Sequence, residues 1–115
     1  MHELSMAMNL IDGVLGESEK RGGLRVEAVH LKIGALSGVD QGALTFCYGI
    51  ACEGTALEGS RLVIEEVPVT LHCSGCGRDH TPESLLQLRC PQCETPAQDI
   101  IHGREIEITA LEVAA

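Results

Sequence analysis

The chain has 115 residues, a formal charge of -9 from 17 acidic side chains against 8 lysines and arginines, and only Phe46 and Tyr48 as aromatics. That length allows one domain, or one with a small annex, around a modest aliphatic core. A surface this acidic, without stacking platforms, argues against nucleic acid as a partner, and the absence of a charged-then-apolar leader or an apolar run approaching about 18 residues argues against secretion or membrane insertion. The bacterial or archaeal cytosol is the expected home.

The chain opens with Met1-His2-Glu3. A histidine in second place blocks removal of the initiator methionine, so a chelate stands at the chain end. The α-amine, the deprotonated backbone nitrogen of His2 and its imidazole form fused rings around one metal, and Glu3 can add its amide or its carboxylate. Flat nitrogen and oxygen donor sets of this kind suit Cu(II) or Ni(II) better than zinc. On these residues alone the motif is weak, and an ordinary exposed histidine is the commoner reading.

Leu4, Met8, Ile11 and Leu15, with Ala7 and Val14 beside them, repeat at the three-and-four spacing of a buried helix face. Lys20-Arg21 and then Gly22-Gly23 supply a positive last turn and a left-handed stop, so a helix is expected over 4–21, with Met6 and Met8 as core filling rather than metal ligands. Arg25 to Ile33 reads as a strand, with Val29, Leu31 and Ile33 on one face and Ala28, His30 and Lys32 on the more polar one. Asp40 can cap a second helix from Gln41 to Ala51, with Leu44, Cys47, Ile50 and Ala51 inward. Cys47 and Cys52 would lie about 140° apart around it and cannot jointly clamp a metal.

Arg61 to Val67 is a second expected strand, and Pro68 marks a boundary. Cys73-Ser74-Gly75-Cys76 and, after thirteen residues, Cys90-Pro91-Gln92-Cys93 form two Cys-x-x-Cys knuckles rich in turn formers. Four thiolates from Cys73, Cys76, Cys90 and Cys93 can occupy the corners of a tetrahedron, as a closed structural zinc site requires. Two disulfides or unrelated buried cysteines are the alternatives, and nothing else indicates an oxidising compartment. The apolar cluster Leu85-Leu86-Leu88 between the knuckles is too small for a core, so metal must hold this segment together. Glu94 to Gly103 leads back to the first module, and Arg104 to Val113 is a third strand. Its change of phase at Leu111 and Val113 suggests a bulge or a strand covered on both sides.

No enzyme is legible. Neither lysine, Lys20 or Lys32, follows a glycine-rich phosphate loop, a four-sulfur site leaves no open position for substrate, and the five histidines are scattered.

Met-His-Glu-Leu-Ser at the start, Leu31-Lys32-Ile33-Gly34 with Leu36-Ser37-Gly38-Val39-Asp40, Glu53-Gly54-Thr55, the paired knuckles and the closing Gly-Arg-Glu-x-x-Ile pattern together resemble the HypA/HybF family, nickel metallochaperones for nickel-iron hydrogenase maturation. The resemblance covers essentially the whole chain. It implies an α+β fold: a nickel-binding domain of two helices on a three-stranded sheet, formed by 1–68 and completed by a final strand in 101–115, with a zinc-ribbon-like domain inserted at 69–100. It implies Ni(II) as cargo at Met1, His2 and Glu3, with Asp40 as a further candidate ligand, and structural Zn(II) at Cys73, Cys76, Cys90 and Cys93. The implied partners are a HypB-type nickel GTPase and the hydrogenase large-subunit precursor; some relatives also serve urease, and both monomers and homodimers occur. Gln41 stands where relatives often carry proline, and of the histidines near the knuckles His72 and His80 flank only the first. The competing reading is a zinc-ribbon adaptor that recognises protein without transferring nickel.

Overall fold

A computed structural model describes residues 2–82, 84–85, 88–93 and 98–114. The elements run α1 (His2–Lys20), β1 (Val26–Gly34), α2 (Gln41–Cys52), β2 (Arg61–Val67), β3 (Thr70–Cys73), β4 (Asp79–His80), β5 (Gln98–His102) and β6 (Ile106–Val113). Among the described residues two three-stranded sheets form, in the orders β2-β1-β6 and β4-β3-β5, and the fold is α+β. The chain groups into two compact units, one of Met1–Leu31, Val39–Glu65 and Ile108–Ala115, the other of Lys32–Gly38 and Glu66–Glu107.

In the first unit α1 and α2 pack on each other. α1 ends as its sequence dictates, with Lys20 in the last turn, Gly22 and Gly23 at positive φ, and the Gly23 amide donating to the Ser18 carbonyl at 2.8 Å. Its buried stripe, however, is Glu3, Ala7, Ile11 and Val14, and not Leu4, Met8 and Leu15. Met8 is 55% exposed and is no core residue. The two candidate stripes adjoin on the helix, and the choice is made by Glu3, whose carboxylate has a partner at the start of α2 and so can turn inward.

α2 begins at Asp40, whose Oδ1 accepts the Ala43 amide at 3.0 Å, the expected cap. Its phase also departs from expectation. Leu44, Tyr48 and Cys52 face inward, Cys47 and Ala51 are half-buried, and Ile50 is exposed. Tyr48 can enter because its hydroxyl meets Ser60 Oγ at 2.7 Å, which satisfies the polar end of an otherwise apolar ring.

β1 buries Ala28, Val29, Leu31 and Ile33, while His30 is half-buried and reaches Glu112 at 2.9 Å. β6 is not covered on both sides. It lies at a sheet edge, exposed along its length except for half-buried Leu111.

Among its described residues the second unit contains three short strands that hydrophobic patterning did not reveal. β3 pairs antiparallel with β4 (Leu71 opposite His80, His72 opposite Asp79) and with β5 (Leu71 opposite Ile100, Cys73 opposite Gln98). The unit's buried apolar residues include Ile33, Val69, Leu71, Cys73 and Cys90. Leu85 is exposed and Leu88 is half-buried, while Leu86 lies outside the described residues. Gly34 has no room for a side chain: a Cβ there would collide with the Gly103 backbone, to whose carbonyl the Leu36 amide donates at 2.6 Å.

Candidate metal sites

β3 delivers Cys73 into the second unit, and a turn over 74–76 brings the chain back. The Gly77 amide donates to the Cys73 carbonyl at 2.7 Å and the Cys73 amide to the Arg78 carbonyl at 2.9 Å, with Gly77 at φ +73. Amides then point at sulfur: those of Gly75 and Cys76 at Cys73, that of Arg78 at Cys76, and those of Gln92 and Cys93 at Cys90. This is the arrangement that stabilises thiolates at a knuckle.

The four sulfurs lie within 4.8 Å of one another, with Cys73 to Cys93 at 3.3 Å and Cys76 to Cys90 at 3.8 Å. A tetrahedral zinc with arms of about 2.3 Å sets its sulfurs roughly 3.8 Å apart, so the cluster fits a closed site of four thiolates. Its protonation has the same sense. Burial opposes a thiolate at Cys73, but the amides of Cys76 and Gly75 and the neighbouring thiols outweigh it and bring its pKa down to about 5. At Cys76 the Arg78 amide favours the thiolate, yet the sulfurs of Cys73 and Cys90 and burial push it up to about 11. The Cys93 amide leads in lowering Cys90. Crowded sulfurs share protons until a cation replaces them.

His72 is bound instead through Nδ1 to Asp79 at 2.8 Å, and His102 through Nδ1 to Glu105 at 2.9 Å. His80 carries two buried ring nitrogens with no hydrogen-bond partner among the described residues and stands outside the sulfur cluster.

The second candidate site is at the start of α1. Met1 lies outside the described residues. His2 is the first residue of α1, with its side chain largely exposed and Nε2 3.6 Å from Glu3 Oε2. Glu3 is only 8% exposed and the same Oε2 accepts the Asp40 amide at 3.3 Å. The Asp40 amide, followed by its own amide, holds the Glu3 carboxyl below its usual range despite burial. The structure thus joins His2, Glu3 and Asp40 in a chain of contacts, with Asp40 taking part through its backbone while its Oδ1 caps α2. Among the described residues only the four cysteines bring three or more side-chain donors together. A terminal chelate does not need such a cluster, because most of its donors are backbone nitrogens. Sequence reasoning could name Asp40 as a cap but had no signal for its bond to Glu3.

A family model described as "Hydrogenase/urease nickel incorporation, metallochaperone, hypA" matches residues 1–113. A hydrogenase maturation factor HypA of Chloroflexus aurantiacus is 47% identical over 112 residues, covering 97% of this chain and 98% of its own. One from Streptomyces avermitilis is 39% identical over 96% of this chain and 86% of its own. Among solved structures, the solution structure of the nickel metallochaperone HypA from Helicobacter pylori aligns with a TM-score of 0.69 at 26% identity over 100% of this chain and 99% of that one. A second HypA solution structure aligns with a TM-score of 0.75 at 25% identity over 99% and 97% of the two chains.

Proposed function

Since the chain belongs to the HypA family of nickel metallochaperones and hydrogenase maturation factors, we propose that it carries Ni(II) at its amino terminus and delivers it during hydrogenase maturation, with zinc holding the second unit. The observation that carries this reading is the cradle at the start of α1, where exposed His2 sits beside a Glu3 fixed by the Asp40 amide. Nickel would be held by the Met1 amine, the His2 backbone nitrogen and imidazole, and Glu3, with Asp40 supporting Glu3 and standing as a further acidic candidate.

The helix terminus suits this task. The first amides of a helix have no intrahelical acceptor, so the His2 amide can lose its proton to a metal without breaking α1. The positive end of the helix repels a bare cation but favours the anion left when that amide deprotonates. A metal able to displace amide protons, and content with flat coordination, is therefore selected over zinc. Release follows by ligand exchange: an open side lets a partner's donors replace those of the chelate one at a time. Because each ligand must shed a proton, nickel affinity falls with pH.

The zinc would be bound by Cys73, Cys76, Cys90 and Cys93 and would supply structure, since four thiolates leave no position for substrate. No catalytic role is assigned. The partners would be a HypB-type nickel GTPase and the hydrogenase large-subunit precursor, in the cytosol; among the described residues no helix is long and apolar enough to cross a membrane. An adaptor without cargo is disfavoured by the family match, which includes the first residues. In untagged protein, His2→Ala should abolish nickel binding in calorimetric titration while zinc content and circular dichroism are unchanged; nickel binding equal to the parent's would refute the assignment.

A further inference from the structure

We infer that residues 34–37 form a clasp, locked by the Glu105 carboxylate, that closes over both ends of the zinc-bearing segment and makes the end of β1 order and disorder with zinc. The inference rests on the zinc assignment above. Two sequence motifs that neither metal site uses meet here: Gly34 with Leu36-Ser37-Gly38, and Gly103-Arg104-Glu105. All of these residues belong to the second compact unit, whose boundary cuts β1 and takes Lys32–Gly38 with it.

Three consecutive amides reach three separate carbonyls. Gly34 donates to Glu105 at 2.7 Å, Ala35 to Val67 at 2.9 Å and Leu36 to Gly103 at 2.6 Å, and the Ser37 amide closes the turn on the Gly34 carbonyl at 3.0 Å. Val67 stands shortly before β3 and Gly103 directly after β5, so the clasp holds the chain where it enters and where it leaves the sheet that carries Cys73. Both crossing points are glycine. A Cβ on Gly34 would strike the Gly103 backbone, and Gly103, at φ +128, would press a Cβ against Val69.

Glu105 supplies the lock. Its Oε1 accepts the Gly103 amide at 2.7 Å and its Oε2 meets His102 Nδ1 at 2.9 Å, with the side chain only 20% exposed. Gly103 is buried, so the carboxylate satisfies an amide that water does not reach, and it fixes the backbone whose carbonyl receives Leu36. Zinc enters through pairing. β5 is set against β3, with Thr70 opposite His102 and Cys73 opposite Gln98, and β3 ends on the cysteine that a metal would hold. Once that pairing loosens, the Val67 and Gly103 carbonyls lose their fixed spacing, and the three amides cannot all keep their acceptors. A change in metal content therefore reaches the connection between β1 and α2.

The test compares untagged, zinc-loaded protein with its chelator-stripped form by residue-resolved amide exchange, with zinc assayed throughout. Stripping should speed exchange at Gly34, Ala35 and Leu36 roughly tenfold or more, together with β3, while Ala28 to Leu31 in the same strand β1 stay within about threefold. With zinc still bound, Glu105→Ala should open the same three amides by a similar factor. Glu105→Gln, which keeps an oxygen for the Gly103 amide, should stay within about threefold of the parent, as should Glu107→Ala on exposed β6. The inference is overturned if 34–36 keep their protection when β3 loses it, if Ala28 to Leu31 open equally, or if Glu105→Ala exchanges like the parent. Protection of β3 that survives chelation, with Glu105→Ala still opening 34–36, would uphold the lock and overturn the zinc assignment instead.

Discussion

Glu3 links the chain's start to α2, and the lowered pKa of its carboxyl makes that link pH-dependent. A carboxyl whose pKa is lower folded than unfolded contributes stability above its ordinary range, and this contribution is lost as pH falls through the folded value. Glu105, held down chiefly by the Gly103 amide, and Glu112, held down chiefly by His30, act in the same direction. Denaturant titrations from pH 7 to pH 3 should therefore find the parent losing stability on acidification, and Glu3→Gln losing less across the same range. Identical pH slopes would mean that Glu3 makes no such contribution.

At the scale of elements, the two helices are defined by which side they bury. Leu44 is fully buried in α2 whereas Ile50 is exposed, so Leu44→Ala should cost about 2–5 kcal/mol and Ile50→Ala no more than about 0.5 kcal/mol in chemical denaturation. Comparable losses at both positions would contradict the observed phase. The helices themselves, the Asp40 cap and the glycine stop of α1 were legible because each is decided within a few residues. Their phases were not, because the deciding partners are remote: Tyr48 turns inward to meet Ser60, and Glu3 to meet an amide 37 residues away. The strands β3, β4 and β5 escaped for a related reason. They are short, mix polar and apolar residues, and owe their register to cross-strand pairing beside the cysteine turns. The knuckles were plain, since Cys-x-x-Cys spacing sets thiolate geometry locally.

For the molecule as a whole, the two units depend on different forces. The first has two packed helices and a sizeable aliphatic interior; the second has few buried aliphatic side chains, Ile33, Val69 and Leu71 among them, and a cluster of sulfurs. Zinc held by four thiolates contributes roughly 10–16 kcal/mol of apparent binding energy, far beyond what so few apolar side chains supply. Stripping zinc with a chelator at neutral pH should thus remove the amide-exchange protection of β3 and β5 while the protection of α1 and α2 persists. Unaltered protection in β3 would show that metal is not what holds that sheet. Cargo, by contrast, is assigned to nitrogen donors at the chain's first residues and not to sulfur. The most direct measurement is calorimetric nickel titration of protein with its native amino terminus against the same protein extended by residues before Met1, with zinc assayed in both. The native form should bind nickel and the extended form should not, at equal zinc content; equal nickel affinity in the two would contradict the account.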